Sequence, residues 1–228
     1  MPTDKTCSVP LAYRMSIRFN YIIFPLDLSR LIGALQGIGF TPLAPIPPIP
    51  ASIFGRSLGS GLIAGNGNCL VDVNSDRQFI GVQDSDLDKT LERFNEMSSL
   101  LASPDLLGNH MKTWFIEFQA RLQYWPKANG LGIFKQISSE IPLLEAWSHI
   151  LPSPPALFHI RVNPIEQPID SPDYYEIIFE PNLACPQECY EILIVFRNPD
   201  RTKVEGFARD IKKTSDKLAS ALEKYAPK

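Results

Sequence analysis

Four side chains in this chain have the types needed for proton transfer: Glu117, Glu176, Glu180 and His159. Carboxylates held beside one another and beside an imidazole shift each other's proton affinity, which general acid–base chemistry requires. The same residues, together with Arg18, Arg121 and Arg161, also make an ordinary cross-strand charge ladder. The ladder is the better reading, because mixed charge is what an uncovered sheet face normally carries. "CPQEC" places Cys185 and Cys189 four apart. Zinc needs two more ligands, no second paired motif exists, and His110, His149 and His159 are isolated. Free thiols or one local disulfide therefore fit this pair better than a metal. The glycine-rich run "GRSLGSGLIAGNGN" (55–68) lacks a Gly-Lys-Ser/Thr ending and does not lead into a helix, so it is not a phosphate loop. It reads as strand and hairpin, with Asn66-Gly67 as a type I′ turn. No nucleophile elbow or nucleotide fingerprint occurs, and no cofactor is implied.

Composition narrows the classes further. The 228 residues are 44% hydrophobic and 21% charged, with a formal net charge of -3. Nucleic-acid binders more often carry a basic surplus. No apolar run approaches the ~18–20 residues of a membrane span, and "MPTDKTCSVPLAYR" lacks the layout of a signal peptide. These features point to a cytoplasmic protein with no membrane partner. Cys7, Cys69, Cys185 and Cys189 are too few and too scattered for a disulfide framework. Prolines cluster in "TPLAPIPPIP" (41–50) and "LPSPPA" (151–156), each a stiff connection.

The elements that position these residues follow from periodicity. "MSIRFNYIIF" (15–24) alternates, with Ile17, Phe19, Tyr21 and Ile23 opposite Arg18 and Asn20. A helix follows over 27–40, capped by Asp27, with Leu28, Leu31, Ile32 and Leu35 on one face and Gly37 or Gly39 at its end. A strand meander covers 59–83, with a second tight turn at 74–77, and a helix starts at Ser85 or Asp86. The pattern then restarts. "TWFIEFQARLQYW" (113–125) sets Ile116, Phe118, Ala120, Leu122 and Tyr124 against Phe115, Glu117, Gln119, Arg121 and Gln123. A helix over 130–151 breaks at Pro142. Strands follow at 156–163, 174–181 and 190–198, then an amphipathic helix from Asp200 to about Tyr225, buried through Val204, Phe207, Ile211, Leu218, Leu222 and Tyr225. Its Lys203, Arg209, Lys212, Lys213, Lys217 and Lys224 are diluted by Asp210, Asp216 and Glu223 and read as a solvated face. Trp114, Trp125 and Trp147 read as core.

Both halves therefore run strand, helix, three strands, helix. A shift of 99 matches "IRF" (17–19) to "IEF" (116–118), and a shift of 113 places Leu91 on Val204 and Phe94 on Phe207. The expected fold is α+β: two tandem βαβββα repeats, 12–103 and 111–226, joined by a linker at 104–110. They form one body with a curved antiparallel sheet, helices on one face and a pseudo-twofold axis.

This duplicated order resembles the fold of the TATA-box-binding protein family, most closely over residues 68–97, where a strand, a tight polar turn, a strand and a capped helix follow at the family's spacing. The motifs depart from the family's. Asn74, Ser75, Asp76 and Arg77 stand where the family has Ser-Gly-Lys, and Gly81, Val82 and Gln83 where its strand runs into Thr-Gly. The resemblance implies a nucleic-acid-binding saddle. The open face expected here carries Arg18, Asn20, Asp72, Glu117, Gln119, Arg121, His159, Arg161, Glu176 and Glu180. Carboxylates at its centre repel phosphates, whereas minor-groove binding needs an apolar and amide surface. The expected role is thus non-catalytic binding of a protein or small ligand, through a concave sheet face or the proline-rich loop at 41–50. A nucleic-acid binder is the alternative, and a carboxylate-dependent enzyme comes third.

Overall fold

A computed structural model of the chain describes residues 7–20, 28–43, 61–74, 78–107, 112–126 and 130–225. Two strands of 13 residues, β1 (Cys7–Phe19) and β6 (Thr113–Trp125), pair antiparallel along their whole lengths, from Cys7↔Trp125 to Phe19↔Thr113. They form the middle of a nine-stranded antiparallel sheet ordered β2-β3-β4-β5-β1-β6-β9-β8-β7. The other strands are β2 (Thr41–Pro42), β3 (Gly61–Asn66), β4 (Cys69–Asn74), β5 (Phe79–Asp84), β7 (Ile160–Val162), β8 (Tyr174–Pro181) and β9 (Tyr190–Asn198). The helices are α1 (Leu28–Gly37), α2 (Leu87–Leu101), α3 (Gly130–Ser139), α4 (Pro142–Ser148), α5 (Arg201–Arg209) and α6 (Ile211–Leu222). The fold is α+β, and among the described residues no helix is long and apolar enough to cross a membrane.

Pleating sorts the side chains. Tyr13, Met15, Ile17 and Phe19 of β1, with Ile116, Phe118, Ala120, Leu122 and Tyr124 of β6, join one apolar core. Leu31, Ile32 and Leu35 of α1, Phe94 and Met97 of α2, Phe134 of α3, Val204 of α5 and Ile211 of α6 close that same core. It runs continuously under both halves of the sheet. The described helices are placed by local chemistry. Asp86 caps α2 by accepting from the Lys89 N–H at 3.1 Å, and Asp200 caps α5 by accepting from the Thr202 N–H at 2.9 Å. Gly39, at φ +89, follows the end of α1, and Pro142 opens α4 where the α3 ladder has stopped.

Several expectations need correction. The first strand begins at Cys7, eight residues before the expected start, so the boundary at residue 12 falls inside β1. A partner strand of equal length holds its early residues, and an irregularity between Pro10 and Ala12 absorbs the proline. Asp27, Tyr21 and Ile23, and the turn residues 75–77, lie outside the described residues. The β3–β4 hairpin forms where expected, but its central residues are Gly67 and Asn68. Gly67 has φ +60 and Asn68 does not share it, which is the type II′ pattern. The last helix breaks at Asp210, whose N–H still donates to Gly206 and Phe207. Trp125 and Trp147, expected in the core, are 37% and 43% exposed. In the expected linker, Leu107 is buried and its N–H donates to Leu101 O at 3.1 Å.

Replacing Asp86 with Ala removes the α2 cap and is expected to cost about 1 kcal/mol in urea unfolding. Alkaline stability has a separate signature. Burial, reinforced by the Asp84 carboxylate, pushes the Cys69 thiol from 9.0 up to about 11. The folded state thus prefers the neutral thiol, and the stability this adds is complete below pH 9 and lost as pH rises through about 11. Tyr124 and Tyr190, both raised from 10.0 chiefly by burial, act in the same direction above pH 10. Urea midpoints should fall between about pH 8 and 10.5, and less steeply in Cys69→Ala.

Candidate functional site

Among the described residues, the side chains on the other face of the sheet lie outside the helical core. One row crosses it through hydrogen-bonded neighbours: Asp72, Gly81, Ser16, Glu117, Arg197 and Tyr174. The next row runs Gln83, Arg14, Gln119, Val195 and Glu176. Two small residues, Gly81 and Ser16, lie between the acids Asp72 and Glu117. That gap is filled by the Arg14 guanidinium. A Cβ on Gly81 would come within 2.8 Å of Arg14 Nη2 and 2.9 Å of Asp72 Oδ1. Arg14 is held bidentate by Asp72 at 3.0 and 2.8 Å, donates to Ser16 Oγ at 3.1 Å, and stands 3.7 Å from Glu117.

Glu117 is the centre of this face and is only 2% exposed. Arg197 Nε bonds one of its oxygens, and Gln119 Nε2 donates to the other at 2.6 Å. Arg197 also donates to the Ile169 carbonyl at 2.6 Å, from the β7–β8 connection, and lies over the rings of Phe115 and Tyr174 at 5.2 and 5.1 Å. Arg18 sits over Trp114, Phe79 and Phe115 at 4.9, 5.4 and 5.6 Å. Toward the β7 edge, Arg161 pairs with Glu176, which also accepts from the Tyr174 hydroxyl at 3.4 Å. Burial and the Glu176 charge raise the Tyr174 hydroxyl above its ordinary range. Arg121 pairs with Glu191 and stands 3.9 Å from Glu180. A depression of about 330 Å³ opens between Asn74, Phe79, Gln119, Glu176, Leu193 and Arg197.

Of the ten residues expected on this face, Arg18, Asp72, Glu117, Gln119, Arg121, Arg161, Glu176 and Glu180 share it through strand register. Asn20 does not: β1 ends at Phe19, and the Asn20 N–H donates to Lys112 O in a bend. His159 precedes β7, is exposed, and joins neither Arg161 nor Glu176. The centre is also drier than a solvated ladder, since Ser16 and Phe115 are fully buried beside Glu117. Arginines, rather than other acids or a histidine, neighbour Asp72 and Glu117. That arrangement fixes the positions of both carboxylates through guanidinium contacts. Phe115, set on this side by the alternation of β6, completes the face together with Arg14, Ser16, Arg197, Glu191 and Phe79, which the sequence did not single out. Arg14 stands one residue before the alternation that begins at Met15, although its spacing of four from Arg18 puts both on one face. Cys185 and Cys189 form a disulfide with Cα atoms 5.7 Å apart, beside this face, and Gln123 Nε2 stands 3.4 and 3.0 Å from their sulfurs. Among the described residues no cluster of His, Cys, Asp or Glu has a metal-binding arrangement.

Replacing Glu117 with Ala leaves two arginines facing a buried void and is expected to cost about 3–5 kcal/mol. Arg121→Ala, at a side chain 53% exposed, should cost under about 1 kcal/mol. Gly81→Ala should displace the Arg14–Asp72 pair and lower stability by about 1–3 kcal/mol. Thermal unfolding and a crystal structure of the Gly81 variant check all three.

Comparison with protein-family models finds no match, and a search of curated proteins returns no similar sequence.

Proposed function

We propose that this protein is a non-catalytic binding protein that holds a partner polypeptide or a small polar ligand on its open sheet face. The observation that carries this reading is the set of fixed charges at the centre of that face. Glu117 and Asp72 are clamped by Arg14 and Arg197, beside a depression of about 330 Å³ that no described helix covers. A surface whose side chains are already ordered loses little conformational entropy on binding. Enzymatic proton transfer is less well supported, because each central carboxylate has an arginine for a neighbour and His159 stands apart.

Charge argues against nucleic acid as the partner. Arg14, Arg18, Arg121, Arg161 and Arg197 are balanced on the face by Asp72, Glu117, Glu176, Glu180 and Glu191. A near-neutral surface with buried carboxylates offers no phosphate-directed field. A partner of mixed charge, with groups that replace water at Gln119, Asn74 and the rim arginines, suits it better.

We also infer that the chain is a tandem pair of βαβββα units. From the central pair outward the order is β1-β5-β4-β3 on one side, with the two-residue β2 beyond it, and β6-β9-β8-β7 on the other. The helix caps support a register different from the one read in the sequence. Asp84 accepts from the Asp86 N–H at 2.9 Å, and Asn198 accepts from the Asp200 N–H at 2.9 Å. These pairs lie 114 residues apart rather than 113, so Thr90, not Leu91, aligns with Val204. Because Asp84 pairs with Tyr13 and Asn198 with Ile116, the first strands align at 103 rather than 99. The extra length then falls at the end of the β8–β9 hairpin, where 14 residues separate Ile178 from Leu193 against four between Asn74 and Phe79.

The test is co-purification from native extract followed by native mass spectrometry, on the wild type, Arg161→Glu and Leu193→Asp. A molecule retained by the wild type and lost from both folded variants is the expected result. Nothing retained by the wild type, or equal retention by all three, contradicts the proposal. DNA or RNA retained on filters in a salt-sensitive manner would favour the nucleic-acid reading instead.

A further inference from the structure

A shallow groove of about 630 Å³ lies along α6, whose opposite side packs in the helical core. Arg209, Lys212, Lys213, Lys217 and Lys224 line it. The lining also includes one carboxylate, Asp216, and that group is engaged toward the sheet by the Tyr124 hydroxyl, with Ser8 Oγ at 3.5 Å. Lys212 and Lys213 stand in the first turn of α6, between Asp210, which makes no side-chain cap bond, and Asp216.

We propose that this groove binds an extended acidic segment of a protein partner. Three properties select that chemistry. From Lys212 to Leu222 α6 rises about 15 Å, the length of about four extended residues, with Arg209 before it and Lys224 after it, so the charges are spread along a line rather than converging on one compact anion. The cations are lysines except Arg209, point charges that suit carboxylates without demanding bidentate geometry. Among the described residues no aromatic side chain lines the groove, so they offer no platform on which bases would stack. Ala221 and the lysine stems supply an apolar floor for the peptide backbone. The site is separate from the polar sheet face and stands or falls independently of it.

The experiment is fluorescence anisotropy of the full chain with a labelled octaglutamate peptide. Saturable binding is expected, weakened about tenfold in Lys213→Glu/Lys217→Glu and by raising sodium chloride from about 50 to about 300 mM. Lys213→Arg/Lys217→Arg keeps the charge and should stay within about twofold of the wild type. Lys89→Glu/Lys135→Glu makes the same change in net charge on α2 and α3 and should also stay within about twofold. Absence of saturable binding overturns the proposal, as does equal weakening by the α2/α3 control. Tighter binding of oligothymidine or of phosphatidylserine vesicles than of the peptide at equal salt likewise overturns it.

Discussion

The buried carboxylate of Glu117 is the constraint on which the polar half of this molecule depends. A charge with 2% exposure is tolerated only when paired and hydrogen-bonded, and here Arg197 and Gln119 supply those bonds while Arg14 stands close. Each of these comes from a different strand or strand position, so the ion network fixes the mutual register of β1, β6 and β9. Glu117 also sits on the β1–β6 pair, where the two halves of the sheet join. The contact that orders the surface is therefore the one that joins the halves.

The two faces of the sheet solve the burial problem differently. The helical side uses interlocking aliphatic and aromatic groups, insensitive to the orientation of any single one. The other side buries arginines over rings: Arg197 over Phe115 and Tyr174, Arg18 over Trp114, Phe79 and Phe115. Planar guanidinium groups shed hydration more readily than ammonium groups, which suits them to such a layer. Lysine is absent from this layer and is concentrated instead on α6, where strong hydration and a flexible stem are no handicap. Arginine thus builds the fixed surface and lysine the adaptable one.

Much of this was legible in the residues. Alternation from Ile116 to Tyr124 located β6, Asp86 marked the start of α2, and Pro142 separated α3 from α4. The parts that were missed have physical causes. Strand β9, "YEILIVFRN", is buried on both faces and shows little alternation, so Arg197 carried no sign of its side. Polarity read Glu117 as solvated, because the arginines that cover it come from residues about a hundred positions before it and eighty after. No proline or glycine stands at the break near Asp210, so no residue type marked it.

A sealed ion network makes its guanidinium protons slow to exchange with water. Nitrogen-15 NMR of the arginine Nε–H groups measures this directly. Arg14 and Arg197 should give sharp, protected resonances, well separated in exchange rate from the exposed Arg121 and Arg161. Exchange at Arg14 and Arg197 as fast as at Arg161 would contradict a fixed, dry charge cluster at the centre of the sheet.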